Sequence, residues 1–112
     1  MPKDVPELLK GTLDLLILKT LEAGPMHGYA IARSIEQATE RALQIEEGSL
    51  YPALYRMTNR GLLEFEWGRS TGNRRIKSYR LTPNGRKRLK SEQANWCRFT
   101  QAVARVLGEQ PA

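Results

Sequence analysis

Twice between Leu62 and Leu81 the apolar spacing of the chain drops from three-and-four to two, and the rest of the fold has to accommodate that change. Over residues 62–68, Leu63, Phe65 and Trp67 alternate with Glu64 and Glu66; over residues 77–81, Tyr79 and Leu81 point the same way. The stretch between them, Arg69-Ser-Thr-Gly-Asn-Arg-Arg, is polar and carries a glycine, so it reads as the cationic tip of a β-hairpin. Thr82-Pro83 closes the hairpin with a strong helix start, threonine as N-cap and proline at the first helical position.

Upstream, the period is helical. Leu8, Leu9, Leu13, Leu15, Leu16, Ile17, Leu18 and Leu21 cover most of the circumference of a helix over residues 6–23, which must be central or shared with a partner. Thr12, after Gly11, suits a cap or a phosphate-binding hydroxyl. Gly24-Pro25 stops this helix. A second helix over residues 28–38 turns Ile31, Ala32 and Ile35 inward and Arg33, Glu36 and Gln37 outward; in the linker after it, Leu43-Gln-Ile45 is enough for a short strand. The third helix begins at Ser49 as N-cap, takes Pro52 in its first turn, buries Leu50, Ala53, Leu54 and Met57, and stops at Gly61. Its other side carries Tyr51, Tyr55, Arg56 and Asn59, hydrogen-bond donors that make poor core.

Three helices followed by a hairpin is the order of a winged helix-turn-helix: a mostly α, α+β head whose third helix enters the major groove while the hairpin reaches the flanking backbone. The charge agrees. Lys plus Arg number 18 against 12 Asp plus Glu, a formal +6, and nine of the cations lie between Arg69 and Lys90 with no acid among them. A double-stranded DNA partner follows, with Ser49, Tyr51, Tyr55, Arg56 and Asn59 offered by the helix and Arg69, Arg74, Arg75 and Lys77 by the wing. Arg56 suits a phosphate better than a base edge; Tyr51 and Tyr55 can alternatively brace the hairpin. Arg86, Lys87 and Arg88 sit at the wrong end of the last helix for its macrodipole, a placement that hints at use.

That last helix runs over residues 83–107, about 37 Å at ~1.5 Å per residue. Leu89, Trp96, Phe99, Val103 and Val106 recur at intervals of seven, three, four and three, a heptad seam with Glu92 or Gln93 in the slot between the first two. It reads as a dimer arm, dividing the chain into a DNA-binding head over residues 1–82 and a dimerisation helix and tail over residues 83–112.

Other classes of function find little support. Cys97 is the single cysteine, so the chain has no intrachain disulfide, zinc ribbon or redox pair, and it reads as an inert helix thiol. His27, also alone, suits capping or orienting the second helix rather than metal binding. The start lacks an apolar signal core and the longest apolar run, Leu15 to Leu18, is far too short for a bilayer, so a cytoplasmic protein is expected. No phosphate-binding glycine loop and no nucleophile with a histidine partner is present, which argues against an enzyme and against a cofactor. The competing reading is a winged-helix module that uses the same helix and hairpin against an acidic protein.

The chain resembles the PadR-type transcriptional regulators. The resemblance runs through Gly11-Thr12-Leu13, Leu16-Ile17-Leu18, Gly24-Pro25-Met26-His27-Gly28-Tyr29-Ala30-Ile31, Gly48-Ser49-Leu50-Tyr51-Pro52-Ala53-Leu54, Gly61-Leu62 and Tyr79-Arg80-Leu81-Thr82-Pro83-Asn84-Gly85, in order across most of residues 8–107. It implies a homodimer of winged-helix heads joined by crossed C-terminal helices, repressing genes from a palindromic operator and released by a small aromatic effector such as a phenolic acid. The single C-terminal helix places the chain with the compact branch of that family, in which Trp96, with Phe99, is the candidate lining of the dimer cavity. Trp96 also fits as plain dimer core. Ser49 stands where many members carry threonine, and no family pattern fixes the wing sequence Asn73-Arg-Arg.

Overall fold

Of the apolar residues crowding the first helical segment, Leu13, Ile17, Leu18 and Leu21 are the ones that go inward, and they do so from helix α1, Leu13–Leu21. The computed structural model describes residues 12–109, so Leu8, Leu9 and Gly11 lie outside the described residues. Leu15 and Leu16 pack half-buried against the same core. Thr12 stands at the N-cap position, its carbonyl accepting the Leu16 amide at 3.0 Å.

Helix α2, Gly28–Ala38, follows the expected span and buries Ile31, Ala32 and Ile35. The short strand is not at residues 43–45. It is β1, Met26–His27, which pairs antiparallel with the hairpin through Met26 to Tyr79 and His27 to Ser78. Two interactions explain the difference. Pro25 cannot continue the helix that precedes it, which frees the next residues for the sheet edge, whereas the Ile45 amide donates to the Glu36 carboxylate at 3.0 Å and its side chain plugs the core.

Helix α3 is Glu47–Asn59, with Glu46 extended at the cap position. Ser49 is therefore the third helical residue and not the N-cap, and Pro52 lies beyond the first turn. The helix tolerates that proline because Gly48, whose carbonyl loses its usual donor, and Pro52 are both exposed, so solvent can satisfy the carbonyl. Leu50, Ala53, Leu54 and Met57 form the buried stripe. Gly61, at φ +76°, turns the chain out of the helix into the sheet.

Strands β2, Leu63–Arg69, and β3, Arg75–Leu81, pair in register from Leu63 opposite Leu81 to Arg69 opposite Arg75, giving the sheet order β1-β3-β2. Helix α4, Pro83–Leu107, starts as its sequence demands. The Thr82 hydroxyl accepts the Gly85 amide at 3.0 Å and donates to the Gly61 carbonyl at 2.6 Å, so one side chain caps α4 and ties it to the end of α3. Such a cap is worth about 1 kcal/mol.

Leu89 is not part of the seam that its heptad phase predicts. At 2% exposure it belongs to the core of the head together with Leu18, Leu54 and Leu62, and so contributes nothing to an exposed seam. The opening turns of α4 are part of the head, and the free stripe begins at Trp96.

Candidate nucleic-acid interface

Helical spacing sets Tyr51, Tyr55 and Asn59 in one row on the outer face of α3. The row starts close against the head. A β-carbon at Gly28 would lie 2.7 Å from Cε1 of Tyr51, so the ring rests on the one residue of α2 that has no side chain to displace it. Burial, and secondarily the Glu47 carboxylate, push the Tyr51 hydroxyl above its ordinary range, so it remains a neutral donor at physiological pH.

Facing this row is the inner side of the wing. Strand alternation puts Phe65 and Trp67 of β2 and Arg75, Lys77 and Tyr79 of β3 on that side. The Arg75 guanidinium carbon lies 4.3 Å from the Trp67 ring centroid, and the Lys77 ammonium lies 4.4 Å from Phe65 and 5.4 Å from Trp67. Tyr79 is buried and forms the floor, its ring 5.8 Å from Phe65. Helix row and wing together enclose an open concavity of about 870 Å³ that also takes in His27, Tyr29, Glu47, Thr58 and Arg74.

The run of nine cations, free of acid along the chain, is sorted by the fold. On the outer face of the hairpin Arg80 pairs with Glu64 at 2.8 Å and with Glu66 at 3.8 Å. Arg88 pairs with Glu92 one helical turn on at 3.7 Å. The cations of the inner face have no such acid among the described residues.

The residues singled out from sequence separate accordingly. Tyr51, Tyr55, Asn59, Arg74, Arg75 and Lys77 come together around the concavity. Ser49 is exposed on the first turn of α3, outside that lining. Arg69 donates to the Asn73 carbonyl at 3.2 Å and closes the hairpin tip. Arg56 is on the other side of α3: it pairs with Asp14 of α1 at 2.5 Å, in a recess shared with Arg88 and Glu92. Sequence reasoning missed Tyr29, whose hydroxyl accepts from Arg33 at 3.0 Å. A tyrosine at the start of α2 with an arginine four residues on was the available signal.

On α4, away from the concavity, Trp96 and Phe99 stack at a tilt, 6.1 Å between centroids, and Val103 and Val106 extend the same exposed stripe. Cys97 is exposed beside it. Among the described residues no cluster of His, Cys, Asp and Glu could hold a metal, and no helix is long and apolar enough to cross a membrane. Donors and cations set on a helix and a hairpin fit a nucleic-acid duplex, whose major groove admits a helix and whose phosphates take the flanking cations.

Comparison with known proteins gives the same direction. Residues 17–91 match the family described as Transcriptional regulator PadR-like family. A PadR family transcriptional regulator from Eggerthella lenta is 34% identical with a TM-score of 0.79, the match covering 92% of this chain and 88% of that one. A transcriptional regulator from Clostridium thermocellum is 31% identical with a TM-score of 0.79, over 88% of this chain and 95% of that one. An uncharacterized protein from Lysinibacillus sphaericus is 26% identical over 97 residues, 87% of this chain and 89% of its own length.

Proposed function

The chain belongs to the PadR-like family of transcriptional regulators, DNA-binding proteins rather than enzymes, and from that premise we propose that it is a cytoplasmic homodimeric repressor released by a small aromatic molecule. One observation carries the reading. Tyr51, Tyr55 and Asn59 on α3 face Arg74, Arg75 and Lys77 on the wing across a single concavity. In this reading α3 lies in the major groove, the wing cations contact the backbone beside it, and the exposed stripe of α4 joins two heads onto a palindromic operator with half-sites about 34–36 Å apart. Occupancy of the operator excludes transcription.

Reversing both wing arginines is the direct test. The Arg74→Glu, Arg75→Glu chain is expected to bind a duplex carrying the promoter of its own gene on the order of 100-fold more weakly, and each phosphate left without its cation should flatten the salt dependence by about 0.9 in log K per log salt. Wild-type binding no tighter than to random DNA at moderate salt would remove the reading. The alternative, docking on an acidic protein, would leave DNA affinity equally poor in both chains.

The effector part rests on the Trp96–Phe99 pair, an aromatic surface that a second copy of α4 would roof over. A phenolic ligand is expected to quench Trp96 emission and to release operator DNA in the same concentration range. A panel of phenolic and cationic aromatics that leaves operator affinity unmoved would remove this part alone.

A further inference from the structure

The hairpin holds its arginines in two different ways. On the outer face Arg80 is paired with two carboxylates, Glu64 and Glu66. On the inner face Arg75 and Lys77 are held by ring faces, Trp67 and Phe65, and no carboxylate lies within ion-pair distance of either among the described residues. Both arrangements restrain a long, mobile side chain. Only the second leaves the full positive charge in place, because a ring attracts a cation through its quadrupole without neutralising it. A guanidinium lying over an indole face also keeps its edge N–H donors available for a phosphate.

Trp67 itself is otherwise hard to account for. Along β2 the inward face runs from fully buried Leu63 through half-buried Phe65 to Trp67, which is 54% exposed beyond the edge of the core. Its edge-on contact with Phe65, 5.9 Å at 87°, forms a corner, and Arg75 and Lys77 lie against the two walls of that corner.

We propose that Trp67 is a positioning residue for DNA binding: its indole holds the Arg75 guanidinium, and with Phe65 the Lys77 ammonium, charged and facing α3 across the concavity. The inference rests on the DNA-binding reading above and adds the side chain that makes the wing cations effective. Trp67 acts through the cations it holds, chiefly Arg75 at 4.3 Å against 5.4 Å for Lys77, and not by its own contact with DNA.

A double-mutant cycle with a DNA-independent control tests it. Trp67→Leu and Arg75→Ala are each expected to weaken binding to the promoter duplex on the order of 10-fold, and the double variant to be no weaker than Arg75→Ala by more than roughly 3-fold, since the two changes remove one interaction. Trp67→Phe, which keeps a ring face, should bind close to wild type. In the free protein the Arg75 side-chain protons should show an upfield ring-current shift in NMR that Trp67→Leu abolishes. Losses that multiply in the double variant, a Phe variant as weak as the Leu variant, or unshifted Arg75 protons would each overturn the assignment. A wild-type chain with shifted Arg75 protons and no specific DNA binding would overturn the proposed function, and the role of Trp67 with it.

Discussion

Gly85→Ala should destabilise the head by on the order of 3 kcal/mol and lower its melting midpoint by roughly 15 °C. A β-carbon at that position would sit 2.1 Å from the Leu62 carbonyl oxygen and 3.1 Å from its carbon, so the obstacle is backbone and cannot rotate away. Neither side has freedom to retreat. The Leu62 carbonyl accepts the Thr82 amide at 3.1 Å, and the Thr82 side chain binds both the Gly61 carbonyl and the Gly85 amide. Moving α4 outward to relieve the clash would break the cap and pull Leu89 from the core. Gly48→Ala is the control: it is also helical, has open space where its β-carbon would lie, and should melt at or slightly above wild type. Thermal melts followed by far-UV circular dichroism decide the matter, and a Gly85→Ala midpoint within a few degrees of wild type would rule out the close approach.

Gly85 also marks the boundary of what the chain shows on inspection. A glycine three residues into a helix reads as a weak helix former, and only the third dimension reveals that another stretch of backbone occupies the place of its side chain. The legible features are local and repeated. Alternation from Leu63 to Trp67 and again at Tyr79 and Leu81 marks the hairpin, Thr82-Pro83 the start of α4, and the three-and-four spacing of Ile31, Ala32 and Ile35 the second helix. The misreadings occur where a distant partner decides. Leu43-Gln-Ile45 alternates, yet the sheet edge is occupied by Met26–His27, too short to show any pattern. Ser49 has the chemistry of a cap, but the backbone enters its helical conformation at Glu47, where a first-turn carboxylate is equally favoured. Leu89 keeps heptad phase with Trp96 and Arg56 adjoins Tyr55, but the core claims the first and Asp14, 42 residues away in sequence, claims the second.

The same separation of local from distant causes applies to the candidate site. Helix periodicity alone puts Tyr51, Tyr55 and Asn59 in a row, and composition alone marks the wing as basic. Which of the cations are neutralised depends on strand register. Because Glu64 lies opposite Arg80 and Trp67 opposite Lys77, the outer face of the hairpin keeps its arginine paired with carboxylates and the inner face leaves its cations without an acid partner among the described residues. A count of charges along residues 69–90 could not distinguish them.

If the proposed homodimer holds, Phe99→Glu combined with Val103→Glu is expected to convert it to a monomer and to cut affinity for a palindromic operator by on the order of 10²–10⁴, because one head is then no longer tethered beside another. The reason lies in how little of α4 is covered. Gly85 and Leu89 are its buried residues, while Phe99 is 60% and Val106 87% exposed, and Trp96, Val103 and Leu107 add to the same uncovered stripe. The part of α4 beyond the head, Trp96 to Leu107, is short enough to be only marginally stable as an isolated helix in water. Its final turns need apolar cover, which in the proposed homodimer a second α4 in heptad phase would supply symmetrically. Both substitutions lie well beyond Leu89, so the head should keep its melting midpoint and its weak grip on a single half-site. Sedimentation and titrations against whole and half operators separate the outcomes. A wild-type chain that sediments as a monomer at working concentration, or a double variant that remains dimeric, would place the subunit contact elsewhere and leave the stripe without a function.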